Sequence, residues 1–228
     1  MEVGRYKMFK VVVFDGGYGG ELFADRLKEE LPIVEVIRVI DWRNADKLLY
    51  SAKTARKIAI EALMPYIGEV DIIILANHLL SITSLRYFER KYRHQKFIGF
   101  GLPLPRGEIN TDALVLTTRA VTRTVNYYNY LFRLSRNTKT LKLDHWAPKI
   151  DDGELEFDEI KTTLGIFLND KRFQPKELIL ACAQFSDVKR ELRRVLGWNV
   201  KTYDSFDYAI KQIGRVLEIK GVGKKRKK

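Results

Sequence analysis

Two hydrophobic periods alternate along this chain. Runs such as Lys10-Val11-Val12-Val13-Phe14 are short, β-branched and unbroken by polar residues, the composition of strands covered on both faces. Between them apolar residues recur every three or four positions, as in Leu22, Phe23, Leu27 and Leu31, where Pro32 stops the helix. Alternation of this kind predicts an α/β protein with mostly parallel strands. It places strands over 10–14, 34–40, 71–76 and 97–100, with helices over 22–31, 45–66 and 80–93. Gly101-Leu102-Pro103-Leu104-Pro105-Arg106-Gly107 interrupts the pattern, and the cycle then restarts. Its second round places strands over 113–116, 140–143, 178–181 and 200–203, with helices over 120–134, 157–169, 186–196 and 206–217.

The two rounds match each other. Phe14-Asp15 matches Leu116-Thr117 at an offset of 102, Ile40-Asp41 matches Leu143-Asp144 at 103, and Asn77 matches Cys182 at 105. The expected fold is therefore two pseudo-symmetric lobes, each a mostly parallel sheet flanked by helices, with a cleft between them. Residues 1–101 plus 206–221 form the first lobe, 102–205 the second, and 222–228 a basic disordered tail. In parallel sheets ligands gather at the carboxyl ends of strands, where Asp15, Asp41, Asn77, Thr117, Asp144 and Cys182 all stand.

Composition narrows the class. With 46% hydrophobic and 31% charged residues the chain reads as globular, and no apolar run approaches the roughly 20 residues that span a bilayer. A single cysteine excludes an intrachain disulfide, and the N-terminus lacks a signal-peptide apolar region, so a cytoplasmic location is expected. Net charge is +12, five of it in Lys224–Lys228. That tail is either a solvated end or a weak contact for nucleic acid or an acidic partner. No zinc-ligand spacing or RNA-binding signature accompanies it, and no metal or cofactor is expected.

Several residues carry candidate chemistry, each with a structural alternative. Cys182 is a proton carrier or a small buried hydrophobe. Asp15 is an acid/base group or the cap of the helix after Gly16-Gly17-Tyr18-Gly19-Gly20, itself an anion cradle or a tight turn. Tyr127, Tyr128, Tyr130 and Phe132 pack a helix, or stack bases beside Arg119, Arg123 and Arg133.

Taken in order, these segments resemble the aspartate/glutamate racemase superfamily. Phe14-Asp15-Gly16-Gly17-Tyr18-Gly19-Gly20 is similar to its F-D-S-G-x-G-G, and Ala76-Asn77-His78-Leu79-Leu80-Ser81 to its A-C-N-T-x-S. Thr117-Thr118-Arg119-Ala120-Val121 resembles G-T-x-A-T, Ala181-Cys182-Ala183-Gln184-Phe185 resembles G-C-T-H-F, and Asp204-Ser205 matches the closing D-S. The resemblance implies cofactor-independent proton transfer at the α-carbon of an amino acid, by two cysteines on opposite faces. A lone base returns its proton to the side it came from, so inversion needs two carriers.

This chain departs from that pattern at the chemistry. The first cysteine is Asn77, an amide that neither takes nor gives a proton near neutral pH. Gly16 replaces the serine, His78 and Leu79 replace the asparagine and threonine, Ala183 the second threonine and Gln184 the assisting histidine. By resemblance the catalytic candidates are Cys182 and Asp15, and the substrate-binding candidates Asn77, His78, Thr118, Tyr50 and Gln184; His78 is also a stand-in proton carrier. The resemblance further implies a carboxylate or amino-acid ligand and a homodimer. Three functions follow: an altered racemase in which two-cysteine racemisation is lost, a one-cysteine decarboxylase or isomerase acting on a carboxylate, or a non-catalytic binding or assembly protein with a basic surface.

Overall fold

The structure, a computed structural model, describes residues 8–102, 112–134, 137–169 and 172–218. The basic tail, 222–228, lies outside the described residues. The chain divides into two compact units, one of Met1–Phe100 with Asp207–Lys228, the other Gly101–Phe206. Each builds one four-stranded parallel sheet.

In the first unit β1 (Phe9–Asp15), β2 (Val34–Ile40), β3 (Ile72–Leu75) and β4 (Lys96–Gly99) lie in the order β2-β1-β3-β4. Val11 to Phe14 and all of β3 are fully buried, which is why these strands read as unbroken apolar runs. Around the sheet run α1 (Tyr18–Glu30), α2 (Ala45–Tyr50), α3 (Ala52–Leu63) and α4 (His78–Lys91). The single helix expected over 45–66 is broken at Ser51. Its backbone is extended and its hydroxyl accepts from Thr54 N, so it ends α2 and caps α3. Ala55, Ile58, Ala59 and Leu63 of α3 then pack against Val12, Phe14, Ile73 and Leu75.

In the second unit β5 (Ala113–Thr117), β6 (Thr138–Lys142), β7 (Glu177–Leu180) and β8 (Lys201–Asp204) repeat the topology as β6-β5-β7-β8. Its helices are α5 (Arg119–Thr122), α6 (Val125–Leu131), α7 (Trp146–Asp151), α8 (Phe157–Leu168) and α9 (Lys189–Leu196). The helix expected over 120–134 is divided where Thr124 caps α6, and the one over 186–196 starts only at Lys189, after a 3-10 turn over Gln184–Ser186. The last helix, α10 (Ser205–Val216), returns to the first unit from Asp207, which pairs with Arg26 of α1.

Strand register makes the repeat concrete. Phe14 pairs with Leu75, and Leu116 with Leu180. One residue on, Ala76 N donates to Phe14 O at 2.8 Å and Ala181 N to Leu116 O at 2.9 Å. Asn77 and Cys182 are thus the same distance past the last paired position, as the sequence match expects. The match of Asp41 with Asp144 slips by one residue. Asp15 pairs with Ile40 while Thr117 pairs with Lys142, so Asp41 is level with Leu143. Asp144, one step further, accepts from Arg119 N at 2.9 Å and serves the start of α5.

Candidate active site

Functional candidates fall into two groups, one per unit. In the first, Asp15 ends β1 and is buried. The cap of α1 is Gly17, so Asp15 is not the helix cap that one sequence reading made it. Its Oδ1 accepts instead from Asn77 Nδ2 at 3.3 Å. Asn77 is itself the cap of α4, its Oδ1 accepting from Leu80 N at 2.9 Å. Both ends of the amide are thereby engaged in scaffold bonds.

The glycine turn is packed tightly. A Cβ on Gly20 would lie 2.4 Å from Asp15 Cβ and 2.9 Å from Ile40 Cδ1, so only glycine lets α1 approach β1 this closely. A Cβ on Gly16 would lie 2.6 Å from Leu48 Cδ1. Leu48, fully buried on α2, takes the space that a serine side chain needs at that position. Tyr50 closes α2, and its side chain lies outside the described residues.

His78 opens α4 and meets the Phe100 ring edge-on at 5.6 Å. Burial pulls its pKa down to about 3, so the imidazole is neutral at pH 7 and holds no proton to deliver. It does not stand in for the missing thiol.

In the second unit Thr118 and Cys182 follow the adjacent strands β5 and β7, two residues past the Leu116–Leu180 pair. Thr117 Oγ1 donates to Ala181 O at 3.3 Å and ties the two strand ends together. Thr118 precedes α5 without a side-chain capping bond, which leaves its hydroxyl outside the helix scaffold. Cys182 is 9% exposed and borders an apolar cluster with Trp146, Ile150 and Phe185. Its thiol donates to Gln184 Oε1 at 3.0 Å, a bond that only the protonated sulfur makes.

Gln184 also hydrogen-bonds Asp151, a residue that sequence reasoning missed. Burial, and then Asp152 and Asp187, push the Asp151 carboxyl up to about 6 against the opposing effect of the Gln184 bond. Its Oδ1 is buried with no hydrogen-bond partner. The carrier, α7, packs on the 3-10 turn that holds Gln184. It is six residues long and contains Pro148, too short for helical periodicity; Trp146, Ala147 and Ile150 are its only apolar signal. Nearby, burial and then Glu191 raise the Asp187 carboxyl. Asp204 of the D-S pair is buried against the Lys189 ammonium.

The aromatic segment splits by face. Tyr127 and Tyr130 are buried, and Tyr127 Oη shares a hydrogen bond with Thr140 of β6 at 2.7 Å, while Tyr128 and Phe132 are exposed. Among the described residues no three His, Cys, Asp or Glu side chains gather as a metal site, and no helix is long and apolar enough to cross a membrane.

No protein-family model matches the chain. Similarity appears with individual proteins. The glutamate racemase of Aquifex aeolicus (strain VF5) is 23% identical over 219 residues, 94% of this chain and 85% of that one. The glutamate racemase of Helicobacter acinonychis (strain Sheeba) is 26% identical over 199 residues, 80% of this chain and 74% of that one. Escherichia coli glutamate racemase, solved in complex with L-glutamate and the activator UDP-MurNAc-Ala, superposes with a TM-score of 0.78 at 21% identity, covering 92% of this chain and 82% of the other. Two four-stranded parallel sheets of repeated topology, ordered motifs and these likenesses together make the chain a glutamate racemase-like protein with the two-lobed α/β fold of the aspartate/glutamate racemase superfamily.

Proposed function

We propose that this protein moves a proton through one thiol, Cys182, and does not racemise amino acids by a two-thiol mechanism. The observation that carries the reading is Asn77. It stands at the register position equivalent to Cys182, does not titrate, and has both ends of its amide bound to Asp15 and Leu80. Inversion at a carbon needs a base on one face and an acid on the other. Only the acid remains here.

A thiol that rests protonated is suited to quenching a carbanion made by another bond cleavage. The reaction class is loss of carbon dioxide from a small carboxylate whose carbanion a second carboxylate stabilises. The C–C bond breaks, its electron pair stays on carbon, CO2 leaves, and the Cys182 proton forms the new C–H bond. Solvent then reprotonates the thiolate. Thr118, level with Cys182 at the same sheet edge, supplies a hydroxyl donor for a substrate carboxylate. The carbanion is far more basic than any thiolate, so the thiol needs no activation to react.

Leu48 against Gly16 favours a competing reading, a non-catalytic protein, because it fills space beside Asp15. The test uses D2O. Incubation with L- and D-glutamate or aspartate is expected to leave the α-proton in place, in the natural protein and in Asn77→Cys alike. Substituted malonates are expected to release CO2 and gain one deuterium, and to do neither with Cys182→Ala. α-Deuteration of glutamate by the natural protein overturns the proposal; inertness towards every substrate favours the non-catalytic reading.

A further inference from the structure

We infer that Asp151 is a positioning residue: through Gln184 it fixes the Cys182 thiol as a hydrogen-bond donor. The inference rests on the reading of Cys182 as a proton donor and adds the group that sets its state. An ionised carboxylate only accepts hydrogen bonds, whereas a primary amide donates from one end and accepts at the other. Bound to Asp151, Gln184 gives its NH2 to the carboxylate and is left with Oε1 towards the sulfur, 3.0 Å away. The sulfur must then donate. Turning the amide end for end sets oxygen against carboxylate, which a charged Asp151 forbids.

The surroundings keep Asp151 committed to this contact. Its Oδ1 has no partner, and the groups acting on its charge besides Gln184 are Asp152 on the same helix and Asp187 beyond the 3-10 turn, both acidic. The cation of α7, Lys149, is held by Glu159 of α8, which also faces His145. Gln184 is therefore the donor that meets this carboxylate, and ionisation of Cys182 sets a thiolate against the oxygen of an amide that cannot turn. Replacing the carboxylate by an amide frees Gln184 to turn its NH2 to the sulfur, which favours the thiolate.

Because Cys182 is the only cysteine, alkylation of the intact protein by iodoacetamide reads its state without any substrate. At pH 7.5 Asp151→Asn is expected to alkylate about tenfold faster, the effect of one hydrogen bond gained by the charged form. In a Gln184→Ala background the same substitution is expected to change the rate less than about twofold, since the intermediary is gone. Asp151→Glu keeps a carboxylate and is expected to stay near the parent rate, which guards against a variant that merely misfolds. Equal acceleration in both backgrounds marks a direct charge effect and overturns the inference, as does no acceleration in either. A cycle that behaves as expected beside an absence of decarboxylation rejects the proposed reaction and leaves the positioning intact.

Discussion

Asn77→Ala separates an amide that binds substrate from one that holds the fold. The substitution removes the acceptor that caps α4 and the donor that meets Asp15, both in buried surroundings. Loss of a helix N-cap costs about 1 kcal/mol. Withdrawing a donor from a buried carboxylate costs about 1–2 kcal/mol more. Together they lower stability by about 2–3 kcal/mol, a fall of about 5–10 °C in melting temperature for a chain of this size. Urea unfolding followed by circular dichroism measures it, with two companion variants. Asn77→Ser keeps a cap but falls short of Asp15, so it is expected to lose about half as much. Asn77→Asp keeps the cap acceptor but sets a second carboxylate against Asp15. Its deficit is expected to be largest near pH 8 and to shrink as pH falls, because repulsion raises the pKa of the facing pair and protonation relieves it. An Asn77→Ala protein within about 0.5 kcal/mol of the parent refutes the scaffold role.

Gly20→Ala is expected to lose about 1–3 kcal/mol, since its Cβ would stand 2.4 Å from Asp15 Cβ and α1 must shift to admit it; thermal melting checks this. His78 makes stability pH-dependent. Its pKa falls from 6.5 to about 3 on burial, so the unfolded chain takes up a proton in that interval and the folded chain does not. Its contribution is full above pH 6.5 and is lost as pH falls towards 3, at up to about 1.4 kcal/mol per pH unit. In urea titrations His78→Phe is expected to remove that slope; an unchanged slope rules out a buried neutral histidine.

The strands were plain in the sequence because both faces of β1, β3, β5 and β7 are covered, which leaves no polar position to blur them. Helix boundaries were harder. Ser51 and Thr124 look acceptable inside amphipathic runs, yet each hydroxyl bonds a backbone N–H three residues on and starts a new helix. The slip at Asp41 and Asp144 has a similar origin. An aspartate after a strand looks alike in both halves, and only strand pairing shows that one of them stands a residue further along.

Residue types alone determined that position 77 has no titrating group, that Cys182 is the single thiol, and that the two belong to a repeated α/β scaffold. Side-chain chemistry and hydrophobic period are local properties, and they survive in the linear chain. Tertiary structure decided what those groups do. It engaged Asn77 with Asp15 across 62 positions, laid Leu48 over Gly16, and brought Asp151 to Gln184 across 33. Hydrogen bonds and steric contacts act over a few ångströms, so partners far apart in sequence become partners only when the sheets bring their strand ends together.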